Sequence, residues 1–375
     1  MKRPLKVGLI TTLDRNIGDD LIREGVKRVV AAAMGGREIE WVMVDKHWPL
    51  TVYPEWHPVR LALRLPRGKG PAQSLARTLL HPLPWSRFDA CDLVVQCGAP
   101  VLWPGSHRSE WAGPLIREVV GRVAARGIPV MNLAAGSCYP WEARAERIDD
   151  PAEAAYVRRS LADCRLTTAR DTLARALYAS VGGDVPLLRC TAFVAPRGHA
   201  AAERDDRLVL VNYMAGAGHY DWDQAVDGGG WEATMRTVVA RLKERRRVAF
   251  LCHTDREHEL AGRLDPTLPR LLPRTPREYF AAVSGAAGAV CNRMHASVAL
   301  AGMGIPSVAI GTDTRLLMVD AVDVPALYVK DATAERVLDE LETGIARGGE
   351  ARDRLLAASD ETWSAYVTAV GAALA

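Results

Sequence analysis

Residues 7–33 read VGLITTLDRNIGDDLIREGVKRVVAAA, and the change of periodicity within them decides the fold class. Val7 to Leu13 is a short, nearly continuous apolar run, the pattern of a strand covered on both faces in a parallel sheet. A polar turn at Asn16 to Asp19 follows. Beyond it Leu21, Ile22, Val26, Val29 and Val30 recur on one side of a 3.6-residue period and predict a helix to about Ala33. Strand, polar loop and amphipathic helix make a βα unit. Apolar runs at Leu93 to Cys97, Val130 to Ala134 and Leu166 to Thr168 repeat the rhythm, each followed by a segment capable of helix, and the alternation predicts a doubly wound sheet. Between the early units, Trp48 to Trp85 is rich in Pro, Arg, Trp and His without a sustained apolar period and reads as an irregular excursion near a cleft.

Pro196 to Asp206 combines Pro, Gly, Ala and charge ahead of a fresh strand at Leu208 to Asn212, which marks a domain boundary. The rhythm then restarts, with strands at Val248 to Cys252, Gly288 to Cys291, Ser307 to Ile310 and Leu327 to Val329. The expected architecture is α/β: two doubly wound, Rossmann-like domains, residues 1–195 and 207–350, facing a central cleft, with a last helix in 351–375 able to pack back on the first domain. A chain of 375 residues suits two such domains at about 150 residues each.

The 48 Lys and Arg are offset by 45 acids, and a formal net charge of +3 implies no field strong enough to hold nucleic acid. The basic run Arg245 to Arg247 reads as a solvated helix end. Seven cysteines without a CxxC pair or metal-like histidine spacing suggest neither a disulfide framework nor a metal site, and read as mostly buried thiols in a reducing compartment. Met1 to Leu13 is basic then apolar, but the apolar part is short and leads directly into Asp14, Asn16 and Asp19, so a first strand fits better than a signal peptide. No run approaches the length of a membrane helix. A cytoplasmic protein without a membrane span is expected, and assembly into a homo-oligomer is compatible with this composition.

The chemistry concentrates at strand ends. Cys291-Asn292-Arg293-Met294-His295-Ala296 places Arg293 and His295 where a strand gives way to a helix, the edge at which open α/β sheets bind ligands. A helix N-terminus flanked by Arg and His suits a phosphate or carboxylate, although an interdomain salt bridge and a helix cap would use the same residues. Asp313 and Arg315 supply an acid and a base after the next strand, with Asp313 equally able to be only a cap. In the first domain Asn16, Gly18 and Asp19 follow the first strand without the spacing of a dinucleotide fingerprint. Gly98-Ala99-Pro100 and Gly136-Ser137-Cys138 are further strand-end loops. Arg170-Asp171 opens a helix, where it is either structural or brings Arg170 into the cleft as an anion clamp.

Together these segments resemble the polysaccharide pyruvyl transferase family: Asn16 to Asp19 after the first strand, Gly98 to Pro100, Arg170-Asp171, Arg293 to Ala296, Gly304 to Pro306, and Asp313 to Arg315, in that order over most of the chain. The resemblance implies a fold similar to the two-domain glycosyltransferases of the B type, with the acceptor on the N-terminal side and the donor on the C-terminal side. It also implies transfer of a pyruvyl unit from phosphoenolpyruvate, as a ketal, to hydroxyls of a carbohydrate-like acceptor, with phosphoenolpyruvate as co-substrate and no other cofactor or metal. In that scheme Arg293 and Arg315 clamp carboxylate and phosphate, and Arg170 and Asn292 border the donor. His295 exchanges the proton with an ordinary near-neutral pKa, and Asp19 or Asp313 accepts the proton of the acceptor hydroxyl. Asn16, Gly18 and Gly98 position the substrates. Three other readings use the same residues: a nucleotide-sugar glycosyltransferase, an enzyme of specialised metabolism moving a different group, for which the altered loop at Ala99 and Pro100 speaks, and a binding protein in which Arg293 and His295 are paired away from solvent.

Overall fold

The computed structural model describes residues 3–13, 15–64, 82–109, 112–199, 205–220 and 222–375. The first sheet comprises β1 (Leu5–Thr11), β2 (Ile39–Asp45), β3 (Leu93–Cys97), β4 (Pro100–Leu102), β5 (Val130–Ser137) and β6 (Leu166–Ala169). Its order is β2-β1-β3-β5-β4, with β6 also paired to β5, and every pairing is parallel. The second contains β7 (Asp205–Asn212), β8 (Arg247–Leu251), β9 (Arg270–Leu271), β10 (Ala286–Cys291), β11 (Ser307–Gly311) and β12 (Ala326–Tyr328) in the order β12-β11-β10-β7-β8-β9, again parallel throughout. In each sheet the chain winds outward from its first strand and then returns to the other side of it. The winding reverses between β1 and β3 and between β7 and β10, the points at which loops splay apart and leave a crevice.

The two doubly wound sheets match the expected fold class. The apolar runs become strands buried along their lengths, as at Leu93–Cys97 and Ser307–Gly311. β2, β4 and β9 were not among the expected strands. β2 buries only Val42, Val44 and Asp45 fully, so it lacks a continuous apolar run, while β4 and β9 are three and two residues long. Of the expected irregular excursion, Trp48 to Trp85, residues 49–52 form a short 3₁₀ turn and Pro58–Arg64 a helix, while 65–81 lie outside the described residues. Within the boundary segment Pro196 to Asp206, residues 200–204 also lie outside them.

The first helix, Ile17–Ala33, starts at Asn16, whose side chain accepts the Gly18 N–H at 2.9 Å, with Asp19 and Asp20 in the first turn, where the helix dipole favours acids. Its Leu21, Ile22, Val26, Val29 and Val30 join a core that also takes in Val298, Leu300 and Ile305 of the second domain and Leu355, Tyr366 and Val370 of the last helix. That helix, Gly348–Leu374, lies against the first: Tyr366 donates to the Arg189 carbonyl at 2.9 Å and Ser359 to the Phe193 carbonyl at 3.2 Å. A buried latch closes the second seam. Ser137 donates to Asp171 at 2.9 Å and lies 2.9 Å from the Thr314 hydroxyl, which accepts the Tyr139 N–H at 2.9 Å. The walls of the intervening cleft are therefore fixed on both sides. Among the described residues, no helix is long and apolar enough to cross a membrane. All seven cysteines are free thiols, six of them buried.

Candidate functional site

The two switch points face each other across a cleft of about 610 Å³ lined by residues of both domains, among them Asn16, Asp19, Asn292, Arg293, His295, Asp313 and Arg315. The helix Met294–Ala301 begins just after β10, and its His295 meets the start of the first helix: a Cβ at Gly18 would lie 3.2 Å from the His295 Cβ. Two helix N-termini, each with partial positive charge, thus converge on one place.

The strand-end residues are tied down by a polar network. Asn292 accepts the Met214 N–H at 2.9 Å and donates to the Ile310 carbonyl at 3.1 Å, bracing the ends of β7, β10 and β11. The Arg293 N–H donates to the Asn212 side chain at 2.7 Å, and its Nε and Nη2 reach one Glu257 oxygen at 2.8 and 2.6 Å. Glu257 is buried and also accepts from Asn212 at 2.9 Å and from the His253 N–H at 2.9 Å. Burial alone would push its carboxyl up, but Arg293 and the other donors outweigh it and hold it below the usual range. Arg293 therefore faces the cleft with only 17% of its side chain exposed and already ion-paired.

Arg315 is held in the same manner, its Nε and Nη2 on the two Asp313 oxygens at 2.8 and 2.6 Å, beside the Tyr220 ring. Asp313 takes the Arg315 N–H as well, at 3.0 Å. Its carboxylate is committed to orienting the guanidinium, which leaves it poorly placed to accept a substrate proton. Asp19 is better placed. Burial raises its carboxyl pKa, against the pull of Lys46, Arg293, Arg23 and Arg170, and a raised pKa makes the carboxylate a readier proton acceptor. Burial in turn lowers the pKa of the neighbouring Lys46, with Asp19 opposing the shift.

Three expectations are corrected. His295 does not keep an ordinary pKa: burial, then Arg170, Arg315, His253 and Arg293, depress it well below the usual imidazole value, so the ring is neutral at neutral pH. Gly98 does not border the cleft but packs in the core, where a Cβ would lie 3.0 Å from Ala134 and 3.2 Å from Ile22. Arg170 does not enter the cleft as a clamp. It is fully buried and touches His295 from beneath.

Sequence reading missed Lys46 and His47, both lining the cleft at the carboxyl end of β2, because β2 itself went unread. The hydrophobic segment Ile39–Asp45 followed by Lys-His was the available signal. It also missed Arg15 and the loop after β7 that brings His219, Tyr220 and Trp222 to the cleft. A second cavity, about 330 Å³, lies at the opposite end of the second sheet beside Ser307 and the last two helices and holds none of the candidate residues. Among the described residues no group of three or more His, Cys, Asp or Glu is arranged to hold a metal ion.

Among solved structures, the UDP-GlcNAc 2-epimerase from Neisseria meningitidis, bound to UDP-GlcNAc, is 12% identical, with 97% of this chain and 100% of that one covered and a TM-score of 0.54. The UDP-GlcNAc 2-epimerase from Methanocaldococcus jannaschii, in complex with UDP-GlcNAc and UDP, is 12% identical over 95% and 99% of the two chains, with a TM-score of 0.51. The glycotransferase of kitacinnamycin is 14% identical over 100% and 98%, with a TM-score of 0.50. These likenesses establish the two-domain fold of B-type glycosyltransferases. No curated protein matches the sequence. The family model described as polysaccharide pyruvyl transferase matches residues 16–314, from the cap of the first helix to the Thr314 latch. With that match over most of its length, the chain belongs to the polysaccharide pyruvyl transferase family and is a transferase.

Proposed function

We propose that the protein transfers a pyruvyl group from phosphoenolpyruvate to hydroxyls of a sugar or related acceptor, forming a ketal. The observation that carries this reading is the convergence of two helix N-termini with Arg293, Arg315 and Lys46 on one cleft, a setting for a small ligand bearing both carboxylate and phosphate. Ketal formation needs a proton at C3 of the enol ester, attack on C2 by one hydroxyl, loss of phosphate and attack by a second hydroxyl. Arg293 and Arg315 hold the anionic donor, with Glu257 and Asp313 fixing their orientation. Asp19 accepts the acceptor's proton, and Asn16 helps to position the acceptor on the N-terminal wall. His295, kept neutral by burial and the surrounding arginines, donates a hydrogen bond from its protonated ring nitrogen to the donor's phosphate, and the acceptor proton taken up by Asp19 supplies C3.

The reading is tested by thermal shift followed by mass analysis of products. Phosphoenolpyruvate at a hundred times its Kd stabilises the fold by about 2.7 kcal/mol, and the His295→Ala variant, still folded, loses at least about a hundredfold in turnover. Stabilisation by UDP or nucleotide sugars with none by phosphoenolpyruvate would replace the reading with a glycosyl transfer.

A further inference from the structure

Arg170 is the largest fully buried side chain among the described residues, yet its Nε and Nη2 have no hydrogen-bond partner. The adjacent Asp171 gives its oxygens to Ser137 and to the Ala174 N–H instead. A guanidinium withdrawn from water without a bonded carboxylate is costly, so its placement calls for a reason. The surroundings are shaped to admit it. Gly136 in β5 lies against the guanidinium plane, and a Cβ there would come 2.2 Å from Nε and 2.8 Å from Cζ. From this position Nη1 reaches the Nε2 of His295 at 3.4 Å. Arginine has five N–H donors, no acceptor, and does not lose its proton, so Nε2 must offer its lone pair in this contact. The proton of the neutral imidazole then sits on Nδ1. That nitrogen is the one beside the start of the first helix, 3.3 Å from the position of a Gly18 Cβ.

We propose that Arg170 is a positioning residue for the cleft: by donating to Nε2 it fixes His295 in the Nδ1–H tautomer and turns the nitrogen that carries the proton toward Gly18 and the bound ligand. His295's part in the reaction rests on the function proposed above, whereas its tautomer does not. The groups facing His295 come from every wall. They are Arg170 after β6, Arg293 after β10, Arg315 after β11, His253 after β8, and Asp19 on the first helix across the cleft. Arginines on three sides disfavour an imidazolium until an anion offsets them, so His295 greets a ligand as a neutral donor of known orientation.

The test is nitrogen-15 NMR of histidine-labelled protein without ligand, with His295→Gln used to assign the resonance. The native ring should show the Nδ1–H tautomer and stay neutral below the pH at which an ordinary imidazole takes up its proton. Arg170→Met should move its titration upward by at least about one pH unit and release the tautomer, since one neighbouring charge shifts a pKa by that order, and Arg170→Lys should restore both. A native His295 protonated on Nε2, or titrating near its ordinary value, overturns the proposal even if Arg170→Met cannot fold. So does a folded Arg170→Met whose His295 spectrum is unchanged. Failure of phosphoenolpyruvate to bind would leave these spectra as they are and would count against the donor alone.

Discussion

At the scale of single residues, Glu257 shows why a chemical group is read differently once its neighbours are known. In the sequence it is one of 45 acids on a chain with nearly balanced charge. In the fold it is 2% exposed and accepts from Arg293, Asn212, His253 and Thr254. Breaking a buried ion pair by removing one partner leaves the other charge uncompensated and typically costs about 3–5 kcal/mol. Glu257→Gln should therefore lower stability by about that amount, measured as a drop in the urea midpoint at unchanged slope. A midpoint equal to the parent's would mean that Arg293 is held by something other than this carboxylate. Arg293, His295 and Arg315 were legible from the sequence because they follow strongly apolar strands within a few residues. The partner of Arg293 was not, since Glu257 lies 36 residues away.

At the scale of elements, the first helix shows how tertiary contact overrides local preference. Gly25 lies in its middle, where alanine would ordinarily gain about 1 kcal/mol from helix propensity. A Cβ at Gly25, however, would lie 1.9 Å from the Thr191 carbonyl oxygen, so the helix and the 191–193 turn meet backbone to backbone. Overpacking of this kind costs about 1–3 kcal/mol, and Gly25→Ala should come out net destabilised in thermal or chemical unfolding. A more stable variant would show that the two elements can separate freely. The same helix was readable from its apolar period, whereas β2 was not, because β2 alternates burial and lacks the continuous apolar run that marks its neighbours. Losing β2 meant losing Lys46 and His47, which depend on it for their place in the cleft.

At the scale of the whole molecule, the buried histidines link stability to pH. His253 and His47 are both lowered to about 4, mainly by burial, and His295 is well below its usual value for the same first cause. In the unfolded chain each takes up a proton near pH 6.5, while the folded chain resists. The unfolded state then binds more protons, and stability rises with pH across this window. Stability should be fully present above pH 6.5 and be lost progressively as pH falls toward about 4, the value for His253 and His47. Asp19 and Asp171, whose carboxyls burial raises, oppose the trend, while His199 and His219, also lowered by burial, add to it. Urea titrations at a series of pH values check the slope, and a flat profile between pH 7 and pH 5 would contradict the neutral burial of these rings.

The sequence by itself determined the alternation of strands and helices, the restart of that rhythm near residue 205, and the motif order that marks the family, because each is a local pattern set by backbone geometry and short-range spacing. Only the tertiary structure decided what those motifs do. It placed Gly98 in the core and Arg170 beneath His295, paired Arg293 with Glu257, and brought Lys46 beside Asp19. The physical reason is that burial and opposing charge, which set whether an arginine clamps a ligand or a histidine carries a proton, come from residues far apart along the chain.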